Sequence, residues 1–195
     1  MMRIRTRLLS TLAILALAAC TRNVAESGNP STGDASAQAS PIVDQELLAF
    51  LSLARALHHE ANLDESSNDT AHAVTTIERI VSAKKPSHEF PEVEEVLADA
   101  YARLAELRLR TGSLDAAATA ISEGRQHATR GSYFEGHLYE VAGIIEEARA
   151  TSLADAGKND AAAEARARAR EHLREAMRIQ EHVIERALEE RNHRP

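Results

Sequence analysis

Nine histidines and thirty acidic side chains are the residues of this 195-residue chain that could hold a metal or move protons. His58 and His59 are adjacent and therefore project from different faces of a helix, so they do not chelate together. His72, His88, His127, His137, His172, His182 and His193 lack the i, i+4 pairing that places two imidazoles on one metal, and no His-Glu-x-x-His run occurs. Glu94-Glu95 and Glu146-Glu147 are sequence neighbours that fit a solvated helix surface better than a poised acid/base pair. No glycine-rich loop follows an apolar run of strand length, so a phosphate cradle of that kind is not expected. These residues point away from an enzyme, and no catalytic residue, metal or cofactor is expected.

Covalent chemistry is written in one place. Cys20 is the only cysteine, which excludes an intramolecular disulfide. It follows Arg3, Arg5 and Arg7, the apolar run Leu8–Leu17, and the small residues Ala18 and Ala19. Spanning a bilayer takes about 20 apolar residues. The run Leu8–Ala19 has 12, which suits a cleaved signal peptide rather than an anchor. Leu17-Ala18-Ala19-Cys20 resembles the lipobox of bacterial lipoproteins. That resemblance implies removal of residues 1–19, acylation of Cys20 and attachment to the cell envelope by lipid. Thr21 at the next position implies, by the same resemblance, the periplasmic face of the outer membrane rather than the inner membrane.

Removing residues 1–19 takes away three arginines and no acid, so the formal charge moves from −7 to −10. A chain of that sign is a poor ligand for nucleic acid or an anionic lipid surface. Residues 20–41 are rich in Ser, Gly, Pro, Asn and Asp, too polar to offset the entropy of ordering, and are expected to form a disordered tether.

From residue 42 to 192 the periodicity is helical throughout. A first helix is predicted over Ile42–Asp64, a second over Thr70–Lys85 capped by Asp69, and a third beginning near Pro91. Thr111-Gly112-Ser113 turns the chain, with Ser113 as the expected cap of the fourth helix. A fifth runs over Tyr133–Ala156, and a sixth from about Asn159 to Arg191. In the sixth, Ala169, Leu173, Ala176, Gln180, Val183 and Ala187 alternate spacings of four and three, with Met177, Ile184 and Leu188 beside them. That seam fits a helix covering the open end of the domain, or a self-associating coiled coil.

An internal repeat organises these elements. Asn68, Gly112 and Gly157 stand 44 and 45 residues apart. Each has an alanine five residues after it (Ala73, Ala117, Ala162) and seven before it (Ala61, Ala105, Ala150). Small residues at fixed offsets around a turn suit the closest crossing of two antiparallel helices. With Tyr101, Leu104 and Ile121 in the central copy, this pattern resembles the tetratricopeptide repeat (TPR). The period exceeds the 34 residues of that repeat, the chain has no Trp, and Gly124 and Glu146 depart from its usual residues.

The resemblance implies an all-α, right-handed solenoid of about three long antiparallel helix pairs with a long C-terminal capping helix. It also implies a partner-binding groove along the first helix of each pair. Carried over by position, the groove comprises Arg55, His58 and Asn62 in the first copy, Asp99, Ala102 and Glu106 in the second, and Ile144, Glu147 and Thr151 in the third. Asp99, Glu106 and Glu147 would suit a basic or neutral segment of another envelope protein. The expected function is a membrane-tethered, non-enzymatic scaffold or assembly factor acting as a monomer. The alternative is a structural protein that dimerises through the C-terminal seam.

Overall fold

The computed structural model describes residues 44–193, all within one compact unit. Residues 1–43, and with them the signal-peptide, Cys20 and tether readings, lie outside the described residues. The described residues are all-α. The helices are α1 (Gln45–Ser66), α2 (Thr70–Val81), α3 (Pro91–Arg110), α4 (Leu114–His127), α5 (Tyr133–Asp155) and α6 (Asn159–Asn192). Each packs on the next in sequence, and α3 also touches α1 and α5. Neither α2 and α4 nor α4 and α6 are in contact.

Three of the five connections are the same turn. Asn68, Gly112 and Gly157 have φ of 63°, 77° and 74°. In each case the amide of that residue donates to the carbonyl three residues back (Glu65, Leu109, Ala154) at 2.9–3.0 Å. The next amide donates to the carbonyl five residues back (Asp64, Arg108, Leu153) at 2.8–2.9 Å. This double bond pattern satisfies the last carbonyls of α1, α3 and α5 and requires a left-handed residue, which glycine supplies without strain and asparagine at modest cost. All six alanines at the repeated offsets, Ala61, Ala73, Ala105, Ala117, Ala150 and Ala162, are buried. More than half of the buried apolar residues are alanine, so the helices meet at backbone-to-backbone range.

The same closeness explains two internal glycines. A Cβ on Gly124 would lie 2.7 Å from Leu138 Cδ2 and 2.9 Å from Tyr101 Cβ. One on Gly143 would lie 2.7 Å from Leu173 Cγ. Gly124, which departs from the usual repeat residue, is thus where α4 passes between α3 and α5.

The helices depart from their expected bounds and caps in three places. Helix α1 starts at Gln45, where Asp44 caps it through Leu47 N at 2.9 Å. Helix α2 stops at Val81, four residues short of Lys85. There the Ser82 hydroxyl donates to Glu78 O at 2.8 Å, and Pro86 disfavours helical geometry at the residue before it. Ser113 makes no capping bond with its side chain; its hydroxyl instead accepts from Thr111 Oγ1 at 3.4 Å. Asp69, by contrast, caps α2 by accepting from His72 N at 3.0 Å. The first part of the α6 seam is occupied within the chain: Ala169 and Ala176 are buried, Leu173 abuts Gly143, and Gln180 Nε2 donates to Tyr133 O at 3.4 Å, whereas Val183 is half-buried and Ala187 exposed.

Because Ala105 has no exposed surface, Ala105→Leu is expected to overpack the α3–α4 crossing and cost about 1–3 kcal/mol. Ala163→Leu on the exposed side of α6 should stay within about 0.5 kcal/mol. Urea unfolding of both variants checks this.

Candidate functional site

The nine expected groove residues fall into five situations. His58, Asn62 and Asp99 are drawn together between α1 and α3. Arg55 is exposed on α1 and makes no ion pair within 4.0 Å among the described residues. Ala102 is fully buried and offers nothing to a partner, which corrects its assignment to the groove. Helix α3 is enclosed by four other helices, so a position that would face solvent in a two-neighbour helix is covered here. Glu106 is half-buried on the α5 side of α3. Ile144 (40% exposed), Glu147 and Thr151 form an exposed stripe on α5. Thr151 Oγ1 donates only to Glu147 O, at 3.1 Å, and no ion pair or hydrogen bond among the described residues joins this stripe to α3.

The residue that assembles the first two copies is Arg103, which the repeat alignment did not single out. Its Nη2 donates to Asn62 Oδ1 at 2.6 Å and to Glu65 Oε1 at 2.6 Å. Its Nη1 lies 3.3 Å from His58 Nδ1 and donates to His58 O at 3.5 Å. Glu65 Oε2 accepts from Arg110 Nη1 at 2.5 Å. The guanidinium is only 19% exposed and Glu65 only 21%, so this pair is better shielded than an ordinary surface ion pair. On the other edge of His58, Nε2 stands 3.8 Å from Asp99 Oδ2. The signal that could have found Arg103 is its helical spacing: it follows Asp99 by four residues and sits beside the buried Ala102.

Titration follows from these contacts. Burial pushes the His58 pKa below the ordinary 6.5; Asp99 opposes that shift and Arg103 adds to it. Neutral His58 can therefore accept the Arg103 hydrogen bond. Burial raises Glu65, but the hydrogen bonds from Arg103 and Arg110 outweigh it and hold the carboxyl below its usual range. Glu106 is raised, chiefly by burial, against the pull of His137, Arg110 and Arg103. His72, at the first turn, goes the other way: its Nδ1 stands 2.9 Å from Asp64 Oδ2, and that bond raises its pKa.

Among the described residues no group of three or more His, Cys, Asp or Glu is placed to hold a metal ion. No buried side-chain nitrogen or oxygen there lacks a hydrogen-bond partner. Among the described residues, no helix is long and apolar enough to cross a membrane. Compared with protein-family models, curated proteins and solved structures, the chain matches none.

The two histidines are expected to respond to pH in opposite senses. His58, with its pKa depressed, contributes stability that is present above the unfolded value of 6.5 and lost as pH falls through the folded pKa. His72, with its pKa raised, contributes below 6.5 and loses that contribution as pH rises through its folded pKa. NMR titration of the imidazole resonances should place His58 below His72, and Arg103→Met should move His58 back toward the ordinary value.

Proposed function

We propose that this chain is a lipid-anchored scaffold of the bacterial cell envelope, without enzymatic activity, that holds another envelope protein along one face of a TPR-like helical array. In this reading residues 1–19 are removed, Cys20 is acylated, and residues 21–41 let the domain stand clear of the membrane. Three helix pairs, α1–α2, α3–α4 and α5–α6, form a right-handed solenoid whose final helix caps the end.

The observation that carries the reading is the recurrence of one turn, with buried alanines at the same offsets, at Asn68, Gly112 and Gly157. Three equivalent crossings support three equivalent helix pairs. A second observation supports the face. Helix α3 touches both α1 and α5, whereas α4 touches neither α2 nor α6. An array with one layer in contact and the other spread apart curves toward the contacting layer. That makes the concave side the surface of α1, α3 and α5, where Arg55, Asp99, Glu106, Ile144, Glu147 and Thr151 fall and where Arg103 fixes His58 and Asn62. The carboxylates there suit a basic or neutral segment.

The test is crosslinking in cells from the exposed positions Arg55 and Glu147. A single envelope protein should be captured reproducibly and lost on the double charge reversal Asp99→Lys, Glu147→Lys. Cys20→Ala should abolish acyl labelling and release the chain from membranes. Capture of no reproducible partner ends the scaffold reading; retention of the Cys20→Ala variant ends the lipid reading.

One observation favours self-association as a second reading. Met177, Ile184 and Leu188 on α6 are 56%, 59% and 44% exposed and recur at spacings of seven and four. Light scattering distinguishes the two, because a dimer through this stripe should revert to a monomer on Ile184→Asp.

A further inference from the structure

Helices α4 and α6 both lie on α5 without touching each other. The gap between them is a cleft on the side of the domain formed by the second helix of each pair. One compartment, of about 190 Å³, has an apolar floor from Ala118, Ile121, Ala142 and Ile145, with Ser122 and the Arg168-paired Glu146 also lining it. It opens past Arg125 and His172, which line both compartments, into a wider one of about 580 Å³.

The wider compartment is cationic in a chain of net charge −7. Arg125, Arg168, Arg174 and Arg178 line it against two carboxylates, Glu171 and Glu175, with Tyr139 and His172 among them. Two of these arginines are committed: Arg168 Nε donates to Glu146 Oε2 at 2.8 Å, and Arg178 holds Glu175 through two bonds of 2.5 and 2.8 Å. The other two are not. Arg125 rests its guanidinium 4.3 Å from the centroid of the Tyr139 ring, and among the described residues neither it nor Arg174 has a carboxylate within 4.0 Å. A guanidinium stacked on a ring keeps its N–H edge free for a carboxylate. Burial pushes the His172 pKa below its ordinary value, and Arg125 adds to that shift.

We propose that the cleft between α4 and α6 docks an acidic, extended peptide segment of a partner protein, with a carboxylate on Arg125 and Arg174 and one apolar side chain in the neighbouring hollow. Charge complementarity selects the acid, and the adjoining hollow, sized for a single large side chain, selects a peptide that alternates acid with one apolar residue. A flat anionic membrane fits less well. Its headgroups would meet a chain of net negative charge, and Glu171 and Glu175 line the same compartment as the arginines. This surface carries the opposite charge preference from the face of α1, α3 and α5, so it is independent of the proposed partner there.

The experiment uses the whole chain and a fluorescein-labelled peptide of aspartates around one central leucine, read by fluorescence anisotropy. Binding is expected, weakening with salt and falling about tenfold or more with Arg125→Glu or Arg174→Glu. Both residues are exposed, and circular dichroism verifies that each variant keeps its helices. Ser122→Leu, which narrows the hollow, should weaken the leucine peptide and leave the same peptide with serine in place of leucine unchanged. The proposal is overturned if the aspartate peptide does not bind, if a lysine peptide binds equally well, or if the two charge reversals leave affinity unchanged. Binding to phosphatidylglycerol vesicles that is lost with Arg125→Glu, without peptide binding, would assign the cleft to lipid instead and also overturn it.

Discussion

The distance between helix axes at the three pair crossings is the constraint on which the remaining structure depends. Six alanines hold it, and a larger side chain at any of them would force the axes apart. Alanine itself contributes little apolar area, at about 0.8 kcal/mol per buried CH₂ group. The main stabilisation therefore comes from the fully buried Leu57, Ile77, Ile80, Leu97, Leu104, Leu107, Leu138, Ile145 and Ile179, each worth about 1.5–3 kcal/mol. The two kinds of residue divide the task. Alanine sets the spacing, and the branched side chains fill the volume that spacing leaves.

Ion pairs and one histidine–carboxylate contact then tie the helices across their rims. Arg79 meets Glu60, Arg108 meets Glu78, His127 meets Glu94, Arg149 meets Asp115 and Arg168 meets Glu146. Most of these are exposed enough to contribute less than about 1 kcal/mol each. Arg103 differs because it is shielded and bonds three residues of α1 at once. It fixes the lateral register of α1 on α3, and the polar band on that side is built around it.

The all-α character, the six helices and the three equivalent turns were legible in the sequence, because periodicity and left-handed turn residues are local properties. The offsets of the paired alanines were legible as well, since a crossing repeated at the same place requires the same small residue each time. What could not be read was the number of neighbours each helix has. Ala102 was expected in a groove and is buried because α3 is enclosed by four helices, while Arg103, one residue on, reaches the surface band. Likewise, the early end of α2 depends on the Ser82 hydroxyl bonding back to Glu78. The seam of α6 read as a helix covering the end of the domain in preference to a contact between chains; its register against Gly143 and Gly136 on α5 is a tertiary fact.

A helix crossing lined by alanine has almost no rotamers to rearrange at the point of contact. Alanine has no side-chain torsion to reset, so a push on one helix cannot be absorbed by side chains flipping beside it. Helix α6 is 34 residues long against 23 for α5. At 1.5 Å per residue its free end reaches about 16 Å farther than α5 is long. Force applied there would be carried through the Gly143–Leu173 contact to α5 as a displacement of whole helices, making the end of α6 the handle of a stiff lever.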